Sequence, residues 1–148
     1  MITLDYSLDA AATAAGGVAV DLATADEMKL RYDCFLGDVV FVVGAEDLSA
    51  RWGWVPVLDF AVALDSIADS LVTDSVFEFT ESDATITFRR DGDLVHIAGD
   101  YVPGTAAVPL EELRTATDTF LRKVVTDLTR LHPELARNPY VVRLGVSS

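Results

Sequence analysis

Residues 51–71 read RWGWVPVLDFAVALDSIADSL, and at Val57 the hydrophobic period of the chain changes. Phe60, Leu64, Ile67 and Leu71 recur at spacings of four, three and four, which puts them on one stripe of a helix with Val57 and Ala68 at its margin. Asp65, Ser66 and Asp69 fall on the opposite side. Pro56 suits the first helical position, and Asp59 suits the cap of a helix beginning at Phe60; from either start the helix ends near Val72. A striped helix needs a layer to lie on, so the remaining segments must supply it.

Upstream, Ile2, Leu4, Tyr6 and Leu8 alternate with Thr3, Asp5 and Ser7, the period-two pattern of a strand with one buried face. AATAAGG reads as a loop or a frayed helical turn, and Val18, Val20 and Leu22 as a second strand. Met28, Leu30, Tyr32 and Cys34 alternate with Lys29, Arg31 and Asp33, and a tight Leu36-Gly37-Asp38 connection leads into VVFVV, apolar on both sides like a central strand. Together they predict a hairpin.

Downstream, VFEFT, ATITFRR and DLVHIAG read as a meander turning at Glu81-Ser82-Asp83 and at Asp91-Gly92, where glycine accepts a positive φ. YVPGTAAVP reads as a loop. From Leu110 to Leu131 a second helix gathers Leu110, Leu113, Thr117, Phe120, Leu121, Val124, Leu128 and Leu131 on one arc, with Glu111 and Glu112 in the first turn and Arg130 in the last. His132-Pro133 stops it. ELARNPYVVRL then predicts one short turn and a final extended segment. The expectation is a single α+β domain over 1–148: a twisted antiparallel sheet of about six or seven strands, packed by amphipathic helices at 57–72 and 110–131.

Composition narrows the class. The chain has 51% hydrophobic and 24% charged residues, a globular and not a disordered balance. Its 148 residues carry a net charge of −13, and residues 1–75 hold 13 Asp/Glu against 3 Lys/Arg, whereas residues 76–148 hold 11 against 8. Such a field repels nucleic acid and anionic membranes and favours basic partners, besides serving solubility. The lone Cys34 excludes an internal disulfide; with no basic leader at the start, and with Val39–Val43 far short of the roughly 20 apolar residues of a span, the expected location is the cytoplasm.

No nucleophile elbow, phosphate loop, dinucleotide fingerprint, zinc spacing or calcium loop occurs, and no cofactor or metal is expected. His96, opposite in polarity to Val95 and Ile97, is the one histidine placed as a catalytic candidate; a solvated or structurally bonded strand histidine is the simpler reading. His132 at a helix end serves the dipole, and Cys34 among apolar neighbours reads as core.

Trp52 and Trp54 project to one side of an extended segment with Gly53 between them. They either seal the end of the sheet where the helix begins or anchor a partner, and the usual burial of Trp favours the seal. Leu58 and Val62 fall among Asp59, Ser66 and Asp69 on the polar side of the 57–72 helix. With Trp52, Trp54, Asp65 and Asp69 they make the candidate contact surface: charge to steer, apolar groups to hold.

VPVLDFAVALDSIADSL, FEFTES with ITF, and FLRKVVTDLTRLHPEL resemble small, largely uncharacterised bacterial α+β domains, some of which are similar to immunity proteins of polymorphic toxin systems. The resemblance spans residues 38–139 and implies a non-enzymatic inhibitor of a basic, toxin-like protein, with no catalytic residues to carry over. The alternative is an enzyme or small-ligand binder with a pocket near Trp52, Trp54 and His96. A homodimeric accessory is the third reading.

Overall fold

A computed structural model describes residues 2–8, 22–32, 34–79 and 82–144. Within them the chain is α+β, with eight strands in two antiparallel sheets of four and four α-helices. The single sheet expected from the sequence is thus two. The reason is the route of the chain after residue 56: it passes straight into the 57–70 helix, and the strand that follows opens a new sheet instead of returning to an edge of the first.

The first sheet is built around β2 (Leu36–Val43), which has β1 (Ile2–Leu8) on one edge and β3 (Glu46–Asp47) and β4 (Ala50–Pro56) along the other. β2 buries Val39, Phe41 and Val43. At its start Gly37 faces Leu8 across the ladder, where a Cβ would lie 2.0 Å from the Ser7 carbonyl oxygen, so only glycine lets β1 pair this closely. The second sheet is the meander β5 (Asp74–Glu78), β6 (Thr85–Asp91), β7 (Leu94–Gly99), β8 (Ala106–Pro109). β8 corrects the loop expected between Tyr101 and Pro109: Ala106 and Val108 alternate inward and pair with Ile97 and Val95.

Of the helices, α1 is Glu27–Tyr32, α2 Val57–Ser70, α3 Leu110–Leu131 and α4 Pro139–Arg143. α1 replaces the strand expected at Met28–Cys34. Asp26 caps it, its carboxylate accepting from the Lys29 N–H at 2.9 Å, and of the alternating set within the helix only Leu30 is buried. α2 begins at Val57 with Pro56 just before it, and Asp59 lies inside the first turn instead of capping it. α3 keeps the expected bounds, though Leu131 at its end is exposed. The tail is helical where an extended segment was expected: a 3-10 turn at Pro133–Arg137 and then α4. The strand expected at Val18 and Val20, with the loop before it, lies outside the described residues; Leu22 is buried in a turn.

One hydrophobic cluster joins both sheets and the helices. Phe60 of α2 is its hub, edge-on to Phe41 of the first sheet and Phe77 of the second, stacked on Phe79, and edge-on to Phe120 of α3. Such ring pairs add about 0.5–1.5 kcal/mol each beyond the area they bury. α2 has no basic residue in its last turn. Arginines from elsewhere meet its carboxyl end: Arg114 Nε donates to the Ala68 carbonyl and Arg90 Nη1 to the Leu71 carbonyl. The tail is fastened by Asn138, which is 0% exposed; its amide donates to the Leu22 and Ala25 carbonyls and its oxygen accepts from the Tyr140 N–H.

Candidate functional site

β4 does not run straight. Its ladder to β2 goes from Gly37↔Val55 to Val39↔Ala50, so residues 51–54 stand opposite Asp38 alone and bulge out. Gly53 turns this bulge with φ 80°, and its N–H donates to Asp38 Oδ1 at 2.8 Å. The bulge folds the two indoles onto each other, their centroids 5.0 Å apart and their planes 27° apart. Trp52 also meets Phe79 and Tyr101 edge-on, and the Tyr101 hydroxyl donates to the Leu48 carbonyl. Trp52 therefore closes the seam between the two sheets, with Trp54 laid against it. Burial raises the Tyr101 hydroxyl well above its ordinary range, with Asp100 and Asp47 adding to the effect.

The α2 residues separate into two groups. Leu58 is 2% exposed, enclosed by Val125 and Leu128 of α3 and by Leu135 and Val141 of the tail. Val62 is half-buried against the core. Asp59 is 4% exposed, and its Oδ1 accepts from both Nε (2.8 Å) and Nη2 (2.6 Å) of Arg31, whose Nη1 reaches Glu27 at 2.7 Å. Leu58 is thus inside the fold and Asp59 is paired with Arg31 instead of standing free on the outer face of α2, because α1, α3 and the tail cover the side of α2 that a lone helix would expose. Asp69 stays exposed and Asp65 half-buried. Burial holds the Asp65 carboxyl above its ordinary range, and Asp118 of α3 and Asp69 push it further while Arg122 opposes them.

His96 lies on the outer face of the second sheet, across from Arg89 and Ala107, with Nε2 3.8 Å from an Asp91 carboxylate oxygen. Arg90, of the Arg89-Arg90 pair, is spent on backbone carbonyls. Cys34 is buried, and His132 follows α3 beside Phe35. Among the described residues, no group of three or more His, Cys, Asp and Glu side chains could hold a metal ion, and no helix is long and apolar enough to cross a membrane.

One concavity was not foreseen from the sequence. It is a cleft of 820 Å³ between α1 and the β5–β6 connection. Met28 and Tyr32 line it from α1, Phe79 and Ala84 from the connection, and Asp59, Glu78 and Asp83 supply carboxylates. No described lining residue is basic. Neither tryptophan nor His96 belongs to it. Its parts come from three separate segments, and only the apolar-acidic mixture near Met28 could have hinted at it.

No protein-family model matches the chain, and neither a curated protein nor a solved structure matches it.

Proposed function

We propose that this protein is a non-enzymatic acidic binding protein, an immunity-type inhibitor that lays negative surface over a basic, toxin-like protein. The observation that carries the reading is the meeting of Asp65, Asp69 and Asp118 at the junction of α2 and α3, where burial first, and then repulsion from Asp118 and Asp69, holds the Asp65 carboxyl above its ordinary range. Holding like charges together is unfavourable in the isolated protein, and a cationic partner relieves it. Arg122, which donates to Asp118 at 3.0 Å, offsets only part of the charge. The net charge of −13 extends the field around this patch and speeds encounter with a basic surface.

The test is charge reversal against a partner purified from the source cell. Asp65→Lys with Asp69→Lys weakens that complex at least tenfold, mostly through slower association, and flattens its salt dependence while the melting curve stays cooperative. Unchanged affinity by calorimetry removes the patch from the interface. Two tryptophans already committed to the seam argue against a flexible aromatic pocket, and fluorescence titration with a metabolite panel checks that: a saturable quench would support the small-ligand alternative.

A further inference from the structure

We propose that the cleft between α1 and the β5–β6 connection is a socket for an arginine side chain of the basic partner; this rests on the reading above and gives it a second point of contact. Three features of the cleft converge on that occupant. Its volume of 820 Å³ lies within the 300–1,000 Å³ range of ligand pockets, far more than one side chain fills, so a guanidinium enters with part of the segment that carries it.

The charge within it is unbalanced. Asp59 is matched by Arg31 at 2.6 Å, but Glu78 and Asp83 are exposed and face the cleft with no basic residue among its described lining. A cation placed there meets two carboxylates in excess, next to low-dielectric walls that strengthen the attraction.

The walls are suited to an apolar stem ending in a flat cation. Met28 is 64% exposed on one side and the half-buried Tyr32 ring stands beside it, while Phe79, only 3% exposed, backs the cleft. Guanidinium stacks on ring faces and forks onto carboxylates, whereas ammonium is a compact, strongly hydrated charge, so arginine fits better than lysine. The molecule already uses the same pairing: the Arg31 guanidinium sits 5.6 Å from the Tyr32 ring centroid while bonding Asp59 and Glu27.

The probe is a twelve-residue peptide carrying a single arginine, with citrulline and lysine versions, titrated into the full-length isotope-labelled protein and read by amide chemical shifts. Saturating shifts at Tyr32, Asp59, Phe79 and Ala84 are expected with the arginine peptide. At least tenfold weaker binding is expected with citrulline, and weaker binding with lysine. Glu78→Gln with Asp83→Asn lowers affinity about tenfold without changing the melting curve, since both residues are exposed. Equal binding of the citrulline peptide overturns the socket. So do shifts confined to Asp65, Asp69 and Asp118, although the basic-partner reading then survives. If the socket binds arginine but charge reversal at Asp65 and Asp69 leaves the natural complex intact, the α2–α3 patch falls and the socket stands.

Discussion

The two sheets are alike in strand number and unlike in how they are assembled. In the second, every pair joins neighbours in sequence, β5 to β6 to β7 to β8, and the ladder runs from Ile86↔Gly99 to Asp91↔Leu94 without a slip. In the first, β1 pairs with β2 across residues 9–35, and β4 loses its register over residues 51–54. A sheet of local hairpins closes small loops and is cheap to form; one with a distant partner and a bulge depends on what packs against it. Phe60 supplies that dependence by touching rings from both sheets.

The largest test of this contrast is Phe60→Ala, which should cost about 3–5 kcal/mol in chemical denaturation. Hydrogen exchange should show both sheets losing protection together; loss confined to one of them would make the sheets independent units joined only by the chain. Asn138→Ala comes next, at about 1–3 kcal/mol for each buried partner left unsatisfied, and its first effect should be faster exchange in α1 and the tail, not in the meander. Gly53→Ala should cost about 1–2 kcal/mol, the penalty for a Cβ in a left-handed conformation, and should perturb tryptophan emission before it touches the second sheet.

The smallest effect is electrostatic. Because the Asp65 carboxyl sits above its ordinary range in the folded chain, its charged form opposes folding. That penalty is absent below about pH 3.9, where the unfolded group is protonated too, and it sets in as pH rises through the raised value. Asp65→Asn should therefore stabilise the protein by about 0.5 kcal/mol at pH 7, the scale of a screened charge pair, and by nothing in acid. Melting curves at both pH values check the sign.

What the sequence made legible follows the same line between local and distant. α3 spans enough turns for its period to be unmistakable, and β6 and β7 announce themselves through the Asp91-Gly92 turn. α1 has only six residues, too few to separate a helical period from alternation, and its cap at Asp26 was the better signal. β8 hid between prolines. For the contact surface, Asp65 and Asp69 were readable as the polar side of α2. The burial of Leu58 and Asp59 was not, because it depends on a tail that crosses back from residue 135 onward. Asp118 joins Asp65 only through the way α2 and α3 pack, and the cleft through the meeting of α1 with a distant hairpin.

The Asn138 clamp also has a meaning in time. Its amide reaches a carbonyl 116 residues earlier in the chain, so while the protein is being made the Leu22 and Ala25 oxygens cannot meet it until the intervening residues have emerged. A nascent chain that stalls just short of it carries most of the apolar residues with one of their fastenings missing. Such fragments would be natural clients for chaperones and easy prey for proteases.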